Sequence, residues 1–143
     1  MVYMAATHTR ESVSMKYPVV VHHDKDSAYG VLVPDLPGCF SAGDTFDEAL
    51  QNVAEAIELH LEGLESEGCD IPRASKIEEH LEDKDYAGGA WGFVDIDVTP
   101  YLGKTEKINV TLPFSVIRRI DEQTGARGRS RFLAEAALKA LEA

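Results

Sequence analysis

The sequence lacks several features that identify whole classes of protein. It has no apolar run near the roughly 18 residues that a membrane span needs. The polar stretch 1–14 has no apolar segment typical of a secretory signal. There is also no glycine-rich phosphate loop, nucleophile elbow or HExxH motif. We therefore expect a cytoplasmic protein that has no membrane partner, with residues 1–14 forming a disordered or tag-like extension.

Cysteine is scarce as well. Cys39 and Cys69 are the only two cysteines, and they do not form a CxxC pair. This spacing indicates neither a zinc site nor a redox motif. Two free thiols suit a reducing cytoplasm, although one disulfide between them stays open as an alternative. We expect no metal and no cofactor.

Basic residues are few, but they are unevenly distributed. The 143 residues include 14 Lys+Arg and 25 Asp+Glu, a formal net charge of −11. Residues 15–104 contain 6 basic and 19 acidic residues, a net −13, whereas residues 105–143 contain 7 basic and 5 acidic residues, a net +2. This division allows a DNA-binding tail on an acidic body. The alternative is that the acidity only keeps the protein in solution.

The patterning of residues 15–99 predicts a β-β-β-α-β domain of the α+β class. Residues 17–22 and 28–33 are rich in apolar and β-branched side chains and flank a turn, which is typical of a hairpin. Residues 39–42 can form a short third strand, and residues 91–98 alternate well enough for a fourth.

A long amphipathic helix is expected between the third and fourth strands. Thr45 and Glu48 have the spacing of a capping box, and apolar residues then recur at helical spacing. Gly68 is expected to end this helix after five or six turns. Residues 71–89 are the least regular part of the chain, and a short helix over 75–81 is one alternative there.

The tail predicts a β-α-α module, 107–143, which follows a linker at 100–106. Residues 107–112 alternate strictly between polar and apolar side chains, as in a half-exposed strand. Pro113 suits the first turn of a helix, which Gly125 then ends. A second helix carries another apolar face.

Such a module is too small to bury enough apolar surface alone, and its strand has no partner within the module. Both difficulties disappear if two copies pair their strands antiparallel and interlock their helices. We therefore expect a homodimer, with further pairing to a tetramer left open. The expected dimer core consists of Ile108, Val110, Leu112, Ile117, Ile120, Phe132, Leu133 and Ala136.

The paired strands would expose Lys107, Asn109 and Thr111 on one face. A two-stranded ribbon fits the DNA major groove, where Lys and Asn side chains read guanine and adenine edges. The start of the second helix offers free amides and basic side chains to a phosphate. The expected phosphate contacts are Arg127, Gly128, Arg129, Ser130 and Arg131. A dimerisation element with a solvated polar face is the alternative.

The pattern from Lys107 to Leu141 resembles the ribbon-helix-helix family of bacterial operator-binding proteins. The resemblance implies base reading by the strand and phosphate binding at the start of the second helix. Gly128 stands where that family usually has a Ser or Thr cap, which implies a weaker phosphate clamp.

Residues 33–50, VPDLPGCFSAGDTFDEAL, and 52–57, NVAEAI, resemble the signature of HicB antitoxins. The resemblance implies a partial ribonuclease-H-like βββαβ body with a ribbon-helix-helix tail. It further implies an antitoxin that silences HicA, a small messenger-RNA-cleaving toxin, and represses its own operon. The toxin contacts are not identified, because the motif residues also have a purely structural interpretation in shaping turns.

Two other functions stay open. The first is a stand-alone ribbon-helix-helix regulator that has no toxin. The second is a metal-dependent nuclease using Asp24, Asp26, Asp95 and Asp97, since paired carboxylates bind catalytic metals. Solvated turn and strand charges explain these aspartates better, so we predict no catalytic residues and no enzyme.

Overall fold

The computed structural model describes residues 12–141, which fall into two compact units. The first unit is Met15–Ile96. The second combines residues 12–14 with residues 97–141. No helix in the described part is long and apolar enough to cross a membrane. The functions that the sequence assigns to the body, linker and tail stay predictions.

Four strands form one antiparallel sheet, at the positions that the sequence predicts. They are β1 (Ser14–His23), β2 (Tyr29–Leu32), β3 (Phe40–Gly43) and β4 (Ala90–Asp97). Their order in the sheet is β3-β2-β1-β4. Leu32 lies opposite Val20 of β1 and Phe40 of β3. The hairpins fix this register, whereas the ribonuclease-H-like description of the body stays an interpretation.

β1 is the central element of the core. Its consecutive residues Val19, Val20 and Val21 are all buried, although neighbours on a strand point to opposite faces. The long helix packs on β2 and β3, and Gly89, just before β4, lies against the Val20 side chain. β1 is therefore covered on both faces, which explains the uninterrupted apolar run at 17–21.

The start of β1 corrects one prediction. Residues 1–14 were expected to lie outside the fold, but the strand begins at Ser14 and Val13 is buried. The Val13 amide donates to Thr99 Oγ1 at 2.7 Å, and its carbonyl accepts from the Val98 amide at 2.8 Å. The prediction is wrong for residues 12–14. The serines there are polar, so the sequence does not show an apolar strand pattern that would indicate continued pairing. Residues 1–11 lie outside the described part.

The long helix α1 spans Phe46–Ser66 and confirms the predicted caps. Thr45 Oγ1 accepts from the Glu48 amide at 3.1 Å. The Glu48 carboxylate in turn accepts from the Asp44 amide at 3.4 Å, one residue earlier than a standard capping box. Gly68 follows the helix with φ +74°, the left-handed conformation that favours glycine there.

Residues 71–89 contain two short 3₁₀ helices, Ile77–Glu79 and Lys84–Tyr86, in place of the single helix considered over 75–81. In the second unit, short 3₁₀ helices at Thr99–Tyr101 and Ala126–Gly128 accompany two α-helices. These helices are α2 (Phe114–Thr124) and α3 (Arg129–Leu141).

The predicted strand over 107–112 is not formed within the single chain, because no described strand lies beside it. Pairing of this segment needs a strand from a second copy of the chain. Strand formation at 107–112 therefore stays a prediction.

Gly43 gives a direct test of how closely α1 approaches β3. A Cβ atom at Gly43 would lie 2.5 Å from the Ala49 backbone nitrogen, whereas one at Gly30 would meet nothing within 4 Å. We expect Gly43→Ala to lower the free energy of unfolding by about 1–3 kcal/mol, because backbone must shift. Gly30→Ala is the matched control and should stay within about 0.5 kcal/mol in the same urea titration. Equal effects of the two substitutions would contradict the close packing.

Candidate nucleic-acid interface and acidic surface

The three predicted base-reading residues are exposed. Lys107, Asn109 and Thr111 are all open to solvent in the single chain. The apolar side chains between them are also open, and Ile108 is 77% exposed. Both faces of the segment are therefore accessible, and no other element within residues 12–141 covers its polar face.

The predicted dimer core divides into buried and accessible residues. Ile120 is buried within the described chain, so it contributes to the core of a single chain. Ile108, Val110 and Ala136 are exposed, and the remaining members are half-buried: Leu112, Ile117, Phe132 and Leu133. Phe114, which is 79% exposed, is a large apolar residue that the predicted core omitted.

Arg129, a predicted phosphate contact, is engaged within its own chain. Its Nε and Nη2 atoms donate to the two carboxylate oxygens of Asp121 at 2.8 and 2.6 Å. This bidentate pair joins α3 to α2. The hydrogen bonds from Arg129 lower the pKa of Asp121, and the same bonds raise the pKa of Arg129. A phosphate at this position would compete with the Asp121 carboxylate.

The other predicted phosphate contacts surround a tight turn. Gly128 is buried, its amide donates to the Gly125 carbonyl at 3.0 Å, and a Cβ there would lie 2.6 Å from Thr124 Cβ. This close approach gives a steric reason for glycine where ribbon-helix-helix proteins usually have Ser or Thr. Arg127 and Ser130 are exposed on either side of the turn, and Arg131 is half-buried.

The signature at residues 33–50 shapes a turn in the described structure. The Leu36 amide donates to the Val33 carbonyl at 3.0 Å, and the Cys39 amide donates to the Leu36 carbonyl at 2.9 Å. Leu36 is fully buried, and Gly38 has φ +85°. These contacts favour the structural interpretation of the motif.

Asp35 belongs to a cluster that sequence reasoning missed. The amide and hydroxyl of Ser75 donate to the two Asp35 carboxylate oxygens at 2.8 and 2.6 Å. His80 Nε2 lies 2.7 Å from Ser75 Oγ. The His80 ring also stacks on Trp91, with centroids 5.9 Å apart. Nothing in the sequence near His80 indicates these distant partners, which is why sequence reasoning missed the cluster.

The residue types in this cluster are those of a catalytic triad, but the order of the bonds is different. In a triad the carboxylate holds the histidine, and the histidine accepts the serine proton. Here the serine hydroxyl already donates to Asp35, so His80 Nε2 must donate to Ser75. The cluster therefore anchors residues 71–89 to the turn at Asp35 and does not activate the serine as a nucleophile.

The four aspartates considered for a metal site are not brought together. β4 begins beside the end of β1, since Gly89 lies against His22. Asp95 near the end of β4 is thus remote from Asp24, which follows β1. Within residues 12–141 no three His, Cys, Asp or Glu side chains are grouped so that they could hold a metal ion. A metal site that joins Asp95 to Asp24 would need the two residues to be close, and the antiparallel arrangement of β1 and β4 separates them.

Helix α1 presents the most uniform charge in the first unit. Its 21 residues include six acidic side chains and no Lys or Arg. We call these six residues the α1 acidic surface: Asp47, Glu48, Glu55, Glu58, Glu62 and Glu65. They lie on the side of α1 opposite the buried Val53 and Ile57 or at its margins, so the field of this helix favours a basic partner.

Comparison with known proteins decides the family. The model of the HicB-like antitoxins of bacterial toxin–antitoxin systems matches residues 17–137. This chain belongs to that family. The match extends over both units, so the HicB-like antitoxin assignment covers the tail as well as the body.

Individual similar proteins support the same family assignment. A crystal structure of the Burkholderia pseudomallei antitoxin HicB is 44% identical and covers 89% of this chain and 98% of its own, with a TM-score of 0.70. The antitoxin HicB3 is 35% identical, with 86% and 95% coverage and a TM-score of 0.61. An uncharacterised 14.9 kDa protein of Haemophilus phage HP1 is 40% identical over 131 residues, which is 89% of this chain and 98% of the phage protein.

The two thiols of this HicB-like antitoxin should react at very different rates. Both cysteines are free; Cys39 is buried, and burial raises the pKa of its thiol, whereas Cys69 is exposed. We expect Ellman's reagent to titrate one thiol at least about tenfold faster than the other in the folded protein, because the thiolate is the reacting form. Cys69→Ser should remove the fast phase. A fast phase that survives this substitution would show that Cys39 is accessible.

Proposed function

We propose that this chain neutralises a small messenger-RNA-cleaving toxin and represses its own operon by binding operator DNA as a dimer. The observation that carries the proposal is the family match over residues 17–137, which includes both the acidic body and the basic tail. The protein would act in the cytoplasm, where such a toxin meets its substrate. No catalytic step is assigned to the chain itself.

The charge of the body supports toxin binding. A protein that cleaves RNA needs a basic surface to meet the phosphates. Residues 15–104, with 6 basic and 19 acidic residues, form a natural electrostatic competitor for that surface. Charge complementarity mainly increases the association rate and restricts the choice of partner.

Co-expression tests the antitoxin function. The small reading frame beside the gene should stop growth when expressed alone, and co-expression of this chain should restore growth. In surface plasmon resonance, the association rate should fall about tenfold or more between about 50 mM and 500 mM salt, because screening shortens the range of the attraction. A chain that neither restores growth nor binds the neighbouring product would instead be a stand-alone regulator.

The tail supports DNA binding by a dimer. Ile108, Val110 and Phe114 expose large apolar side chains in one chain, and leaving such area in water costs about 25 cal/mol per Å². Antiparallel pairing of two 107–112 segments would cover the first two of these side chains. It would also align Lys107 and Asn109 from both chains on the opposite face, which suits the major groove.

Two groups of substitutions should separate base reading from phosphate binding. Asn109→Ala should cost about 1–3 kcal/mol at the operator and relax the base preference. Arg127→Ala should weaken binding to all DNA evenly and reduce the salt slope by about one. Arg129→Ala should change the slope less than Arg127→Ala does, because Asp121 already holds the Arg129 guanidinium. Mobility-shift titrations at two salt concentrations measure all three effects.

The control for this experiment is toxin binding, which none of these tail substitutions should reduce. Unchanged operator affinity after Lys107, Asn109 and Thr111 are replaced together by alanine would contradict reading by the strand. An Arg129→Ala effect equal to that of Arg127→Ala would show that DNA displaces the Asp121 carboxylate.

A further inference from the structure

Within residues 12–141, the outer edge of β3 has backbone groups that form no hydrogen bond. β3 is an edge strand of the four-stranded sheet in the described chain. The Val33 amide donates to the Cys39 carbonyl at 3.3 Å, which fixes the phase of the β2–β3 ladder. Residues then alternate, so Ser41 points its backbone groups toward β2, whereas Phe40 and Ala42 point theirs outward.

Only one of these outward groups has a partner within the described residues. The Ala42 carbonyl accepts a hydrogen bond from Asn52 Nδ2 of α1 at 2.8 Å. The amides of Phe40 and Ala42 donate to no other group in residues 12–141. The edge has neither a proline nor a charged side chain, the usual protections against strand addition.

Exposed apolar side chains border the same edge. Phe40 on β3 is 67% exposed. Leu59, seven residues after Asn52 and therefore on the same stripe of α1, is 70% exposed. Because Asn52 reaches the outer edge of β3, this stripe runs beside the open backbone groups. We call the combination of the β3 outer edge with Asn52 and Leu59 the β3–α1 edge.

The charge around the β3–α1 edge determines which kind of partner strand can bind there. Glu55 and Glu62 flank Leu59 at helical spacing, and both are exposed. A second copy of this chain pairing its own β3 here would bring two α1 helices together, each with six acidic residues and no Lys or Arg. That arrangement is repulsive. A strand that carries basic side chains would instead form backbone hydrogen bonds with β3 and be attracted by the acidic residues of α1.

We propose that the β3–α1 edge is the docking surface for the toxin, which adds an extended basic strand to β3 and packs an apolar side chain against Leu59. This inference rests on the proposed antitoxin function and names the surface that performs it. The amides of Phe40 and Ala42 donate to the added strand, and its basic side chains face Glu55 and Glu62.

Matched leucine substitutions in the full-length chain test the surface. Leu59→Lys places a positive charge where the toxin strand docks, and we expect its dissociation constant for the purified neighbouring toxin to rise at least about 30-fold, as for an interface hot spot. Leu81→Lys makes the same change at another exposed leucine of the first unit, which is 57% exposed, and should stay within about threefold. Isothermal titration calorimetry measures both, and circular dichroism checks that each variant is folded.

Hydrogen exchange of the unmodified protein gives a second readout that does not depend on a variant. Peptides containing Phe40 and Ala42 should exchange at least about tenfold more slowly in the toxin complex, because both amides become hydrogen-bonded. Residues 77–86, which are distant in sequence and carry Leu81, should change little.

The outcomes are distinguishable. If the unmodified chain does not bind the toxin, the proposed function fails. If it binds the toxin but Leu59→Lys binds equally well and the Phe40 and Ala42 amides stay unprotected, the docking surface is wrong and the antitoxin function stands. If sedimentation shows that Leu59→Lys only dissociates an oligomer of this chain, the edge is a self-interface, which also overturns the proposal.

Discussion

Burial of β1 on both of its faces is the constraint on which the first unit depends. Val19, Val20 and Val21 are consecutive and buried, so cover is required on each side of one strand. Each such valine contributes about 1.5–3 kcal/mol when it is fully removed from water. Helix α1 supplies regular cover over β2 and β3, while residues 71–89 are irregular and must be fixed by specific contacts. The bonds from Ser75 to Asp35 provide such an anchor.

The two helices of the tail are held together in a different way, with little buried apolar surface. Ile120 is the one buried large apolar residue of α2, and no residue of α3 is fully buried. The bidentate Arg129–Asp121 pair therefore has a larger part in holding α2 and α3 together than it would in a module with a full core. An ion pair between two helices that bury little apolar surface is consistent with a module that becomes fully stable only in an assembly.

Sequence reasoning succeeded where the determining contacts are local. The strands follow from local strand propensity and, for β4, from alternation; α1 follows from helical periodicity, and the Thr45–Glu48 cap lies within one helical turn. It failed where the partner is remote along the chain. Nothing near His80 predicts its contact with Ser75 and Trp91, and nothing before Ser14 predicts that β1 continues to pair. Strand pairing at 107–112 could not be tested in one chain, because its expected partner is a second copy.

Among the described residues, the 107–112 segment and the outer edge of β3 both have open backbone groups, but their surroundings differ, and this difference would determine what each can bind. The 107–112 segment alternates Ile and Val with Lys and Asn and belongs to a part of the chain with more basic than acidic residues. The proposed pairing of this segment with itself would cover the apolar side chains and leave a face suited to DNA phosphates and bases. The β3 edge lies beside a helix that has only acidic charges, so self-pairing there is opposed by repulsion. In the proposed assembly, the 107–112 segment would associate with a second copy and the β3 edge with a basic protein, and charge, not backbone geometry, would separate the two associations.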